Sequence, residues 1–421
     1  MINIKNNCDA PARDFLNKES ENNAKSYAPC DEGKARSKFT SAEDHVQKLQ
    51  RRIAKAWNDG ERGKVAYLQN LLIRSHSAKV SAVEAVTSNR GKNTPGIDNV
   101  VWESPDDICN AALGLEPRGY TPRPLKRIYT PKRNGELRPL SIPTMKDRAM
   151  QTLYKFALEP ISELSADKHS YGFRPNLSTQ KALERCCDIL RSRKDYTWVL
   201  KTDVKSCFDN VSHEWIMDNI PIDKEILWKF LKCGFVYKNK KHDTTCGVPQ
   251  GGAISPIVCN MAMDGLEKRL INTLEDIEFI RYADDILVIS PHPNKLGQAI
   301  EIMNDFLSVK GLYLSADKTL ITEASKGFSF LGWRIQAGDE LPLVIPDRSN
   351  MESLFEKVSR IFFGYEEYKK LSDKLKFTIH GWAGYHKGVV DDDFLKEILI
   401  ALQVTIGSVN DGIYPNLLNL F

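Results

Sequence analysis

Apolar residues at Leu49, Ile53 and Trp57, then at Val65, Leu68 and Leu72, recur at three- and four-residue steps, the spacing that gathers them on one face of a helix. The stretch 46–90 is therefore expected to hold two amphipathic helices. Further along, YTWVLKTDV reads as a strand ending near Asp203, and two short apolar runs, EFIRY and ILVIS, flank Ala283-Asp284-Asp285. Such runs on either side of a polar tip predict a hairpin whose turn carries two acids. A helix is expected over 298–310, with Ile300, Met303, Phe306 and Leu307 on one side and Gly311 as its cap. Beyond residue 345 the stripe Met351, Leu354, Phe355, Val358, Ile361 and Phe362 again has helical spacing. Residues 1–40 are rich in Asn, Lys, Ser, Asp and Glu, and read as a polar leader that packs weakly or orders only on a partner. No internal repeat or low-complexity tract interrupts the pattern.

The 421 residues suffice for two or three packed domains, and the hydrophobic content of 42% is that of an ordinary globular protein. Charge changes the picture only locally. With 59 Lys and Arg against 55 Asp and Glu, the net charge of +4 excludes a uniformly basic coat. Yet residues 46–92 hold ten Lys or Arg and three acids, and residues 118–148 hold nine and two. Local excess of this kind marks a surface facing polyanions, or else a solvated helix face. The nine cysteines form no CxxC pair, which argues against zinc sites and a disulfide frame and for a reducing compartment. No apolar segment resembles a signal peptide or reaches the ~18 residues a membrane helix needs. A soluble, cytoplasmic protein with no membrane partner is expected.

Two adjacent carboxylates at the tip of an apolar hairpin repel each other, and a bound cation removes the repulsion. Mg²⁺ prefers oxygen ligands, usually one or two carboxylates plus phosphate oxygens and water. Asp203, at the end of its own apolar strand, is the candidate third acid. Two ions about 3.5–4 Å apart could activate a hydroxyl and stabilise a leaving pyrophosphate, which is nucleotidyl transfer. Taken alone, an Asp-Asp pair is more often a polar turn.

Its neighbours decide. In chain order NGELRPLSIPTMKDRAMQ, SYGFRPNLSTQKAL, KTDVKSCFDNVSH, GVPQGGAISPIVCN, RYADDILVIS, LSADKTLI and FSFLGW resemble, in order and spacing, the sequence blocks of reverse transcriptases encoded by group II introns. The resemblance runs from about Ala54 to Tyr385. It implies an α+β, right-hand polymerase fold: a polar leader over 1–40, fingers with an N-terminal helical extension over 41–195, a palm with an antiparallel sheet over 196–344, and a helical thumb over 345–421, with 210–260 contributing helices to fingers and palm. It makes Asp203, Asp284 and Asp285 the metal-binding acids for two Mg²⁺, with Mn²⁺ as a substitute, and the Val204 carbonyl an extra ligand. Phe208 falls where the family places an aromatic under the incoming sugar, excluding a 2′-hydroxyl; by itself it would read as a core Phe. Lys132 and Arg138, in TPKRNGELRPL, are implied to meet the triphosphate, as a mobile point charge and a planar fork. Gln250 is implied to lie near the nucleotide sugar, while Gly251 and Gly252 let backbone approach closely. Lys318 supports the active site, and Gly332 and Trp333 grip the primer, although Trp333 also fits a core aromatic. Arg51, Arg52 and Lys55 are the candidates for template contact in the first basic cluster.

HGWAGYHKG, residues 380–388, resembles the start of the thumb or maturase region of intron-encoded proteins. The His- and Cys-rich endonuclease domain of mobile introns has no counterpart in the sequence, so the expectation is an RNA-directed DNA polymerase resembling the short, stand-alone antiphage defence enzymes. It would take a dedicated structured noncoding RNA as template, dNTPs as substrates and cDNA as product. The alternatives are an intron-encoded reverse transcriptase or maturase lacking its endonuclease, and an RNA-binding splicing chaperone. Intact acids at all three metal positions count against the last.

Overall fold

The helical spacing before residue 90 resolves into three helices rather than two. The computed structural model describes residues 32–131, 137–363 and 368–407, so most of the polar leader, Lys132, and the chain beyond residue 407 lie outside the described residues. Glu32–Asn58 begins within the expected leader; Arg62–Arg74 follows, and then His76–Ser88. The division at Ser75 is a cap. Ser75 adopts an extended conformation, its side chain accepting from the Ala78 N–H, one of the donors the first turn of a helix cannot satisfy internally.

The described chain divides into two compact units, each discontinuous in sequence. The first takes residues up to Asp167, 206–266 and 306–313; the second takes 168–205, 267–305 and the residues from Leu314 onward.

In the first unit the three helices pack with Met145–Ser165 around Ile53, Leu68, Leu72, Val83 and Leu153, each almost completely buried. Burial of such a side chain contributes about 1.5–3 kcal/mol. Pro160, inside Met145–Ser165, has no N–H to offer the Phe156 carbonyl, four residues earlier. Gln50 Nε2 donates to that oxygen instead, at 2.9 Å, and Gln69 Nε2 donates to Ala157 O at 3.1 Å. A helix distant in sequence thus supplies the bond that the proline removes, and Gln69 adds a second tie to the same turn. The same unit carries a four-stranded sheet in the order Leu137–Ile142, Leu125–Pro131, Phe235–Tyr237, Lys240–His242. The first pair is the expected basic ribbon, antiparallel, with Thr130 opposite Arg138.

The second unit is built on an antiparallel sheet in the order Glu278–Tyr282, Asp285–Ser290, Trp198–Asp203, Leu320–Glu323. Val199, Ile280, Leu287 and Ile289 bury against Ile189 and Leu190 of the helix Thr179–Ser192. Phe328–Phe330, Trp333–Gln336 and Leu343–Pro346 form a second antiparallel sheet. The expected C-terminal helices are Arg348–Phe363, Tyr368–His386 and Asp392–Gly407, sharing a core of Leu354, Val358, Leu375, Ile379, Leu399 and Leu402. The helix expected over 298–310 spans Pro293–Ser308, with Gly311 at φ +75° just beyond it. Its buried positions are Leu296, Ala299, Met303 and Leu307. No helix among the described residues is long and apolar enough to cross a membrane.

Candidate active site

Glu278–Tyr282 and Asp285–Ser290 are joined by only two residues, Ala283 and Asp284, so Asp284 occupies the tip and Asp285 opens the returning strand. Ala283 sits in the left-handed region, φ +55°, as tight two-residue hairpins require. The segment before Gly172 holds this tip. Tyr171 N donates to Arg281 O, and a Cβ on Gly172 would lie 2.3 Å from Ala283 N. Only glycine allows that approach.

The sheet register then assembles the acids. Asp203 is directly opposite Asp285 on the neighbouring antiparallel strand, which places both side chains on one face with Cβ atoms roughly 5 Å apart. Val204 N donates to Asp284 O at 3.0 Å, tying the third acid's backbone to the same strand end, and Ser315 N donates to Asp203 O at 2.7 Å. Asp203 is buried; Asp284 and Asp285 are half-buried. Burial first, then the charges of Asp284 and Asp203, push the Asp285 carboxyl up from 3.8 to about 6, against a smaller opposing effect of Lys201 and Lys318. Lys318 Nζ donates to Asp203 Oδ2 at 2.9 Å. Desolvation is the largest influence on this ammonium and lowers its pKa, but the hydrogen bond and charge of Asp203, with Asp284 and Asp285, together raise it.

Three carboxylates here carry more negative charge than Lys201 and Lys318 balance. Among the described residues no three His, Cys, Asp or Glu side chains close around a single metal position. The donor set is an open one, all oxygen, whose remaining ligands would come from phosphate and water, as suits Mg²⁺.

Of the expected nucleotide-binding residues, the first unit holds Arg138, Phe208, Gln250 and Gly251, while Lys318 belongs to the second. Ser206, at φ +46°, turns the chain into the short helix Cys207–Asn210, and the turn 246–252 is stitched to it. Val248 N donates to Phe208 O, and a Cβ on Gly247 would lie 2.5 Å from Asp209 O. The strand Leu137–Ile142 closes on the same turn: Ser141 N donates to Gln250 O at 2.7 Å. Gly251, at φ +109°, has no room for a Cβ, which would meet Ser141 O at 2.5 Å; on Gly252 it would meet Ser255 Oγ at 2.6 Å. Phe208 and Gln250 line a cavity of ≈ 190 Å³ together with Arg127, Ser141, Phe235 and Asp209. Phe208 is therefore half-buried at a cavity wall rather than enclosed in a core. Arg138 is exposed on its strand, its Nε donating to Gln250 Oε1 at 3.2 Å.

One expectation is corrected. Trp333 has no exposed surface. Its ring stacks on Tyr385 at 4.6 Å and 9°, so it is a core aromatic and offers no face to a primer. Gly332, at φ +86°, accepts Asp347 N through its carbonyl at 2.9 Å, and its α-carbon faces the Asn350 side chain. Arg51, Arg52 and Lys55 are exposed on Glu32–Asn58. Sequence reasoning did not single out Asp209, Gly172 or Ser315. Asp209 stood inside the KTDVKSCFDNVSH block, and Gly172 inside SYGFRPNLSTQKAL, but neither position had a local physical signal.

A model of the family "Reverse transcriptase (RNA-dependent DNA polymerase)" matches residues 130–335, and a model of the N-terminal domain of reverse transcriptase matches residues 36–115. Protein YkfC of Escherichia coli is 30% identical over 308 aligned positions, with 60% of this chain and 79% of YkfC covered. The group II intron-encoded protein LtrA of Lactococcus lactis is 28% identical over 327 residues, 61% of this chain and 54% of LtrA. Maturase-like protein 1 of Euglena gracilis is 25% identical over 356 residues, 81% of this chain and 74% of that protein. The chain thus spans about half the length of LtrA.

Proposed function

The chain belongs to the reverse transcriptase family, and on that premise we propose that it is a working RNA-directed DNA polymerase. The observation that carries this reading is the register that sets Asp203 opposite Asp285 with Asp284 at the adjoining tip. A binding module gains nothing from concentrating repulsion in this way. Asp203, Asp284 and Asp285, with the Val204 carbonyl, would hold two Mg²⁺, or Mn²⁺ in their place. Bound there, the ions supply a lowered hydroxyl pKa and charge stabilisation at the leaving phosphate. Arg138 takes triphosphate oxygens, Lys132 shares that charge, and Phe208 and Gln250 meet the sugar. The test is extension of a primed RNA template by dNTPs with Mg²⁺; a purified, folded chain that extends no primed RNA overturns the reading.

The template we propose is a dedicated, structured noncoding RNA, in a stand-alone cytoplasmic enzyme of antiphage defence. The sequence resemblance to short defence enzymes supports it. A second reading, an intron RNA bound and copied by an intron-encoded protein, is favoured by the names of LtrA and the maturase-like relative. Sequencing the RNA and DNA that co-purify with the protein separates them. A short RNA encoded beside the gene supports defence, and a surrounding intron supports the second reading.

RNA capture and nucleotide binding are expected to separate. Substituting alanine for Arg51, Arg52 and Lys55 should weaken RNA affinity and flatten its log–log salt dependence by about 0.7–0.9 per lost phosphate contact. Incorporation at saturating template should persist. Arg138→Ala should instead raise the nucleotide KM about tenfold with little change in RNA affinity, as expected of losing a charge-assisted contact. Titrations of labelled RNA at several salt concentrations, beside single-nucleotide incorporation, check both; identical effects from the two sets would end the division of labour.

A further inference from the structure

Gln250 stands between two groups with opposite demands. On one side Arg138 Nε, 3.2 Å away, can only donate; on the other Asp209 Oδ2, 3.1 Å away, can only accept. One amide orientation alone satisfies both, with Oε1 toward Arg138 and Nε2 toward Asp209. A flipped amide would set N–H against N–H and oxygen against carboxylate. The orientation of Gln250 therefore follows from its neighbours' chemistry.

The backbone beneath this triad is fixed from three directions. Asp209 is held in Cys207–Asn210, with its N–H donating to Ser206 O at 2.8 Å and its carbonyl accepting from Cys246 Sγ at 3.3 Å. The turn carrying Gln250 is anchored by Gly247 N to Val211 O, 2.8 Å, and by His213 Nε2 to Gly247 O, 2.8 Å. The strand carrying Arg138 is anchored through Ser141 N to Gln250 O. With the main chains fixed, the remaining freedom lies in the side chains, and Asp209 removes most of it. Toward the described residues, Gln250 keeps one amide hydrogen to present and Arg138 keeps its two terminal nitrogens for an anion.

The geometry points to Asp209 as a positioning residue for nucleotide recognition, acting through Gln250 on Arg138. The inference rests on the proposed polymerase activity and adds the group that orders its nucleotide-binding side chains. Asp209 does not touch the nucleotide; it sets the donor and acceptor pattern the nucleotide meets. Its influence belongs in nucleotide affinity, because it pre-organises ground-state contacts rather than the acids at the metal positions.

The experiment is an exchange of donor and acceptor in the full chain, read by single-nucleotide incorporation on a primed RNA template. Gln250→Glu leaves a carboxylate facing Asp209, and should raise the nucleotide KM at least about tenfold with kcat within about twofold. Asp209→Asn alone should raise the nucleotide KM less than Gln250→Glu does, since its amide oxygen can still accept from Gln250 but without the carboxylate's charge. The two substitutions together restore a complementary pair: the new amide donates, and the new carboxylate accepts both from it and from Arg138. Recovery of KM to within about threefold of the parent is the expected result. As a second measurement, Asp209→Ala should raise KM in the parent but add nothing in a Gln250→Ala background. No recovery in the exchanged pair, or full additivity with Gln250→Ala, overturns the inference. A parent protein that incorporates no nucleotide at all would instead overturn the polymerase reading itself.

Discussion

A protein carrying Asp284→Asn together with Asp285→Asn is expected to fold, to make no DNA, and to withstand heat better than its parent in magnesium-free buffer at pH 7. The loss of synthesis should be at least about a thousandfold, because charge stabilisation at the reacting phosphate contributes several kcal/mol. The gain in stability comes from the same carboxylates. Asp285 titrates at about 6 in the folded protein against an ordinary 3.8, because it is buried beside Asp284 and Asp203. Between those two values the folded state binds more protons than the unfolded state, so this group's contribution to stability falls as pH rises. The favourable contribution is fully present below about pH 4 and lost above about pH 6, a difference of roughly 3 kcal/mol at pH 7. The variant should therefore exceed its parent by up to that amount at pH 7, and the gap should close as pH falls toward 4. Adding Mg²⁺ should raise the parent's melting temperature and leave the variant's unchanged. Thermal melts across pH 4–8 with and without Mg²⁺, beside a primer-extension assay, measure every part of this. Retained synthesis, or a variant no more stable than its parent at pH 7, would refute the role given to these acids.

Phe208→Ala is expected to change what the enzyme accepts rather than how fast it works. The ring lines the cavity shared with Gln250 and Asp209, and its backbone is pinned by Val248 N on its carbonyl, so it cannot retreat far from an added hydroxyl. Discrimination by steric fit of one group is worth about 1–3 kcal/mol. Removing the ring should thus cut the preference for dNTPs over NTPs by roughly 10–200-fold, with dNTP incorporation lowered far less. Competition between the two nucleotide classes on one template gives the ratio directly. An unchanged ratio would assign the gate to another residue.

What could be read from the sequence was what depends on neighbours along the chain. The acid-tipped hairpin is two apolar runs and a turn, and the helices after residue 345 follow from spacing. The helix His76–Ser88 escaped because its buried residues Ala78, Ala82, Val83 and Val86 are joined by Ser81 and half-buried neighbours, which blurs any single stripe. Its start depends on one serine cap. The Arg138–Gln250–Asp209 triad was illegible for a different reason: its bonds join residues 112 and 41 positions apart, and no local period encodes such a meeting. Trp333 shows the converse ambiguity. An aromatic beside a glycine suits a nucleic-acid surface and a core equally well, and only the ring of Tyr385 packed on it decides.

The central strand Trp198–Asp203 pairs with Asp285–Ser290 on one side and Leu320–Glu323 on the other, and this order governs how the protein comes off the ribosome. An apolar strand is made first, while both partners that would cover its edges are still to be synthesised. At roughly 5–20 residues per second the strand waits on the order of ten seconds for its second neighbour. Through that interval it carries unpaired backbone groups and uncovered Val199 and Leu200, the condition under which nascent sheets pair with the wrong chain. Pairing across so great a sequence separation is also slow in itself. Asp203 and Asp285 can therefore meet only once synthesis has reached residue 285, and a chain interrupted before that point holds Asp203 with nothing opposite it.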